Sequence, residues 1–259
     1  MTEEQLRIIK KFAATKANEF HESRLNAMKK IKLKDMLKRC NPYLLRVKNL
    51  VCAKDLVREL FDVRLSRSEQ TIFGGFLEKI AICVRDEIYA AVKSGIVGMD
   101  MEFIRDNDRY IVSIKSGPNW GNSSATQKQK ELFTKTEKTI RQKNPDLKVR
   151  SILGCCYGKR KSVVRDGYDH YCGQKFWSLL SGSDNLYIDI MEALDDQSRN
   201  YDQEFKEEYD KCLDSMIEEF IKNYCYKDRS INWEALIKFN SKHEEKPPPK
   251  KQVHKKCIV

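Results

Sequence analysis

The sequence predicts an α/β core with helical additions at both ends, and three observations predict it. Apolar residues recur at three- and four-residue intervals toward both ends of the chain. The period falls to two between residues 96 and 114. A helix-length segment then separates those strands from a later apolar one. Periods of 3.6 and 2 mark helix and strand, and a strand reached across an intervening helix is a crossover. With 259 residues, 41% hydrophobic and 34% charged, the chain is long enough to bury a sizeable core and too apolar for a disordered one. No apolar run reaches the ~20 residues that span a bilayer. The opening MTEEQLRIIKKFAATK reads as a charged amphipathic helix rather than a secretory signal. A soluble, cytoplasmic protein with no membrane partner is expected.

In chain order, Leu6, Ile9, Phe12, Ala13, Ala17 and Phe20 form one apolar stripe, so the first helix begins near residue 3. Further helices are predicted at 34–45, interrupted near Asn41-Pro42, and at 50–61. Their role is packing or dimerisation. The stretch 68–92 predicts another, with Phe73, Phe76, Leu77, Ile80, Ala81 and Val84 on its buried side. Gly74-Gly75 in that stretch marks either a close backbone approach or a helix start. Strands follow at 96–104 and 110–114, joined by the polar turn 105–109, and then a loop, SGPNWGN. Ser123 or Ser124 is placed to cap a helix over 125–142, which stops before Asn144-Pro145. Strands at 148–157 and 168–172 and a short helix at 173–180 complete the core, the last with Phe176 and Trp177 as core residues. Residues 184–240 read as helical, and the tail EEKPPPKKQVHKKCIV as disordered.

Charge narrows the partner. The chain has 49 Lys and Arg against 38 acidic residues, a net of +11, unevenly spread. Between residues 115 and 161 stand twelve basic and three acidic residues, and between 184 and 219 three basic and thirteen acidic. A basic block beside an acidic one is the pattern of a polyanion-binding face, although solvated helix faces give the same counts. The nine cysteines, odd in number and irregularly spaced, make no disulfide framework and fit a reducing compartment. The four histidines show no spacing to cysteine that predicts a zinc site.

Chemistry concentrates between Asp100 and Lys115. Asp100 sits within the first strand, and Lys115 ends the second, sharing a face with Ser113. An Asp and a Lys on one sheet surface can hold a divalent cation and steady or deprotonate a water, as phosphodiester hydrolysis requires. Lysine serves as a base only where burial or nearby cations lower its pKa. The alternative is an ordinary surface ion pair, which is worth little.

Residues 97–115, VGMDMEFIRDNDRYIVSIK, resemble the PD-(D/E)xK nuclease motif, in which an Asp on one strand precedes an acidic-x-Lys triplet on the next. The segment KSGPNWGNSSATQKQ (115–129) is similar to the lysine, loop and helix of KSGPN-containing type II restriction endonucleases. GCCYG (154–158) and YCGQKFWSLL (171–180) resemble the later strand and helix of enzymes cutting GGNCC-type sites, so the likeness covers 70–182. The resemblance implies a restriction-endonuclease-like core of mixed sheet flanked by helices at 68–182. Around it lie a helical N-terminal region at 1–67, an acidic helical region at 183–243 and a basic tail at 244–259.

It also implies Mg²⁺-dependent hydrolysis of double-stranded DNA at a short palindromic sequence by a homodimer, with a cognate DNA methyltransferase in the same system. Asp100 and the Ile114 carbonyl would then bind Mg²⁺, and Lys115 would position the attacking water. Met99 stands where the motif has Pro, and Ser113 where it has a second acid, so Ser113 orients water or packs. Glu78 on the preceding helix is the first candidate for the missing carboxylate and Glu102 the second; both are also ordinary surface positions. Contacts to DNA are expected from Asn119, Trp120, Gln127, Lys128, Gln129, Lys130, Lys159, Arg160 and Lys161. Trp120 stacks on nucleic acid or anchors its loop, and the Lys159–Lys161 run meets phosphate or forms a solvated turn. Two rivals share the signature: a structure-selective repair or recombination nuclease, and a DNA-binding protein that does not cut.

Overall fold

The computed structural model describes residues 1–89, 92–159, 164–165, 167–198 and 202–242. Arg160, Lys161 and the tail 244–259 lie outside the described residues. The chain divides into two compact units, one of residues 1–30 and 65–210 and one built from 31–64 with the residues from 211 onward. The N-terminal region expected at 1–67 is thus shared between them. Among the described residues no helix is long and apolar enough to cross a membrane.

The first unit opens with α1 (Glu3–Lys29), started by a capping box. Thr2 Oγ1 accepts the Gln5 amide, and the Gln5 side chain accepts the Thr2 amide, which satisfies two of the donors a helix start leaves open. Its expected stripe is the one it buries, with Ile9, Ala13 and Ala17 inside. The helices α2 (Leu33–Leu37) and α3 (Pro42–Val47) belong to the second unit, the latter capped by Asn41 with Pro42 in its first turn. The helices predicted at 50–61 and 68–92 are one continuous helix, α4 (Ala53–Tyr89), which supplies residues to both units. Gly74-Gly75 lies within it. A Cβ at Gly74 would meet Ser116 at 3.7 Å, an ordinary contact, and one at Gly75 would meet nothing within 4 Å, so the pair marks neither a close approach nor a helix start.

The sheet has the order β1-β2-β3-β4-β6-β5. Its members are β1 (Val92–Lys93), β2 (Met101–Arg105), β3 (Asp108–Lys115), β4 (Val149–Cys155), β5 (Val164–Arg165) and β6 (Tyr168–Cys172). β2 and β3 are antiparallel, β3, β4 and β6 run parallel, and the two outermost pairs are antiparallel. The helix α5 (Ser123–Lys143) makes the crossover from β3 to β4. Its cap is Asn122, whose side chain accepts the Ala125 amide, rather than Ser123 or Ser124.

The β2–β3 hairpin is tighter than the sequence predicts. Asp106 and Asn107, at φ 50° and 63°, alone connect the paired Arg105 and Asp108. Two consecutive left-handed residues form the turn whose twist matches that of the strands. The strand expected from residue 96 begins at Met101, because Gly98 turns the chain at φ 85° against the Leu132 side chain.

Each face of the sheet has its own core. Met101, Phe103, Val112, Ile114 and Ile152 meet Phe76, Ile80 and Val84 of α4 and the α1 stripe on one side. Ile111, Val149, Leu153 and Tyr168 meet Phe133 and Ile140 of α5 on the other. At about 1.5–3 kcal/mol for each fully buried large side chain, these two layers carry the sheet. The helix α6 (Gln174–Ser181) closes the first core with Phe176 and Trp177, and α7 (Leu186–Ser198) joins it through Leu186 and Ile190. The helices α8 (Asp202–Tyr224) and α9 (Trp233–Ser241) follow.

Candidate active site

Strand alternation sorts the site residues. Val112 and Ile114 turn to the α4 core, so Ser113 and Lys115 turn to the α5 side. Asp100 joins them there, its amide donating to the Val112 carbonyl at 2.9 Å just before β2 begins. Asp100 Oδ2 accepts the Ile114 amide at 2.5 Å and lies 3.4 Å from Ser113 Oγ. The fold therefore brings together Asp100, Ser113 and the Ile114 backbone, with Lys115 at the strand's end.

Gln129, expected as a DNA contact, is buried on α5 and turned inward, its Oε1 3.4 Å from Ser113 Oγ. A serine hydroxyl has one proton, so Ser113 donates to Asp100 or to Gln129 but not to both. Gln129 Nε2 is buried with no hydrogen-bond partner among the described residues. A buried donor without a partner costs about 1–3 kcal/mol. Turning the amide over would make a chain from Gln129 Nε2 through Ser113 Oγ to Asp100. In either orientation the amide belongs to the site.

Lys115 is half-buried, its Nζ 5.8 Å from the Trp120 ring centroid. The strand end is held by amide bonds from Cys156 to the Lys115 carbonyl and from Tyr157 to the Ser116 carbonyl. A Cβ at Gly117 would fall 2.4 Å from the Tyr157 ring, whose exposed end would have to swing aside. Beside this loop opens a cavity of about 580 Å³, lined by Phe20, Glu69, Phe73 and Gly74 and by residues 116–120, Tyr157 and Gly158.

The two candidates for a second carboxylate are placed differently. Glu78 is half-buried on the α4 side of the sheet, near Cys156, whose thiol is pushed up to about 12 by burial and, next, by the Glu78 charge. Because Cys156 is bonded to Lys115 through the backbone, Glu78 reaches the same end of the sheet from the face opposite Asp100. Glu102 shares the Asp100 face, but its carboxylate is paired with the Arg109 guanidinium at 2.5 Å.

Of the expected DNA contacts, Asn119, Lys128 and Lys159 are exposed and Trp120 and Lys130 half-buried. Gln127 is exposed and donates to Glu131 along α5. The exposed side of that helix also carries Lys135, Lys138, Arg141 and Lys143. Sequence reasoning missed a second convergence on the α5 side of the sheet. Cys155, His170 and Cys172 bring their donor atoms within 4.8 Å of one another. Only the pairing of β4 with β6 reveals it, Cys155 standing opposite Cys172 and Lys115 opposite Cys155.

Compared with known families, residues 7–202 match the model described as type II restriction endonuclease EcoO109I. No curated protein matches the chain.

Proposed function

Because the chain belongs to the family of the type II restriction endonuclease EcoO109I, we propose that it hydrolyses double-stranded DNA at a short palindromic sequence, with Mg²⁺, as a homodimer. The observation that carries this reading is the convergence of Asp100, Ser113 and Lys115 at the end of one sheet face, beside a basic helix. A palindromic site is read by a two-fold protein, one subunit to each strand. A cognate DNA methyltransferase is the partner that such an activity requires in its host.

The donor set fits Mg²⁺. Asp100 Oδ1 accepts no hydrogen bond from the described residues, and carboxylate with backbone carbonyl oxygen is the chemistry a hard cation takes, completed by waters and phosphate. Asp100 and the Ile114 carbonyl are the residues that would hold the ion, and Glu78 would join them only by reaching around the strand end from the opposite face. Bound there, it supplies charge neutralisation at the phosphate and a more acidic water.

The chain's own residues do the rest. The Lys115 ammonium donates hydrogen bonds that hold a water oxygen in line with phosphorus and meets the charge building on the phosphoryl oxygens. Ser113 keeps Asp100 oriented, and the unpartnered Gln129 amide offers a donor to the same charge. Lys128 and Lys130 on α5 contribute sequence-independent affinity for the DNA backbone.

The test is incubation with unmethylated phage DNA, with Mg²⁺ or with EDTA, beside Lys115→Ala. Discrete fragments that need both Mg²⁺ and Lys115 are expected. Cleavage confined to branches or ends would instead identify a structure-selective nuclease. One observation favours a second reading: a serine and an amide occupy the place of the second acid. Tight, salt-sensitive binding without cutting would establish that reading, a DNA-binding protein.

A further inference from the structure

We propose that Cys155, His170 and Cys172 form a binding site for Zn²⁺, separate from the oxygen site at Asp100 and independent of the nuclease reading. The three residues stand on neighbouring parallel strands and point to one side of the sheet. Cys155 is fully buried and His170 nearly so. The Cys155 sulfur lies 3.2 Å and the Cys172 sulfur 3.4 Å from the same atom, His170 Nε2, with all three donors within 4.8 Å.

A single imidazole nitrogen accepts one S–H or donates one N–H, so it serves only one of the two sulfurs at a time. A cation among the three donors would take a lone pair from each. Zinc bonds of about 2.3 Å to sulfur and about 2.0–2.1 Å to nitrogen give tetrahedral edges of ~3.5 Å for S···N and ~3.8 Å for S···S. The two S···N separations lie close to the first of these edges, and the sulfurs lie within 4.8 Å of one another.

Thiolate and imidazole are the donors that select zinc over magnesium. On binding, each thiol releases its proton to solvent as its Zn–S bond forms, and neutral His170 gives the Nε2 lone pair. Two thiolates cancel the charge of the ion, so the site adds no net charge beside Lys115, which pairs in register with Cys155. The ion would tie β4 to β6 at the end of the sheet that carries the lysine. His170 also lines a cavity of about 170 Å³ beneath Pro118, Asn119 and Trp120, so the same ion would brace the loop after Lys115.

The experiment is metal analysis of the full chain, purified under reducing conditions without chelator. It is followed by replacement with Co²⁺, whose visible absorption reports tetrahedral thiolate ligation. About one zinc per chain is expected for the wild type. Cys172→Ser and His170→Ala should lose it, and Asp100→Ala and Cys257→Ser should keep it. The cobalt protein should show an intense thiolate charge-transfer band that Cys172→Ser lacks. Absence of stoichiometric zinc after incubation with Zn²⁺, or a cobalt spectrum without thiolate bands, would overturn the proposal. The wild-type spectrum decides the matter even if a variant fails to fold.

Discussion

At the scale of single residues, the site combines satisfied and unsatisfied groups. Asp100 is anchored by the Ile114 amide, whereas the Gln129 amide next to it is buried without a partner. Replacing a buried unsatisfied group by an apolar one of similar shape removes its penalty. Gln129→Leu is therefore expected to raise stability by about 1 kcal/mol while lowering cleavage about 10²-fold. Thermal unfolding and single-turnover cleavage check the two halves. Loss of stability with unchanged cleavage would show that the amide only packs. The sequence marks Asp100 and Lys115 because strand alternation and a local motif coincide there. It misplaces Gln129, because one helical turn contains both Gln127 and Gln129 and only the rotation of α5 about its axis decides which faces inward. Cys155 and His170 are invisible to spacing rules for a related reason: fifteen residues separate them, and neighbouring strands reunite them.

Elements were legible where periodicity was continuous and illegible where it lapsed. The stripe of α1 and the strands β4 and β6 needed only their own patterns. The continuity of α4 between the two predicted helices did not show in this way, because residues 62–67 bury one apolar side chain, Leu65, too few to show a period. Within the sheet, Gly154 is a tight fit. A Cβ there would stand 2.1 Å from the Phe176 ring, so Gly154→Ala should cost about 1–3 kcal/mol. Adding Phe176→Leu should restore part of that loss in denaturant titration; no restoration would place the strain elsewhere. The start of β3 is tied to β4 by Asp108, whose carboxyl is held below its ordinary range by its hydrogen bond from Arg150. A depressed carboxyl contributes stability above its unfolded pKa and loses it as pH falls through the folded value. Asp108→Asn should thus lower Tm at neutral pH and flatten its decline between pH 5 and 3; an unchanged acid limb would refute the role.

Across the whole molecule, electrostatics governs how the protein meets DNA. The net charge of +11 and the lysines along α5 make affinity a matter of counterion release. Each phosphate contact removed should reduce the slope of log affinity against log salt by about 0.9. Lys128→Ala and Lys135→Ala, made in Lys115→Ala to prevent cutting, should each show that decrement in binding titrations; unchanged slopes would move the DNA to another face. The placement of the three tryptophans has an optical consequence. Trp177 is buried with its indole bonded to the Cys156 carbonyl, and Trp233 stands in the other unit, whereas Trp120 is half-buried within reach of Lys115. A chain in which Trp177 and Trp233 are replaced by Phe would carry a single intrinsic fluorophore at the lysine. Its emission would report the arrival of DNA, and the filling of the histidine-lined cavity below, without any attached dye.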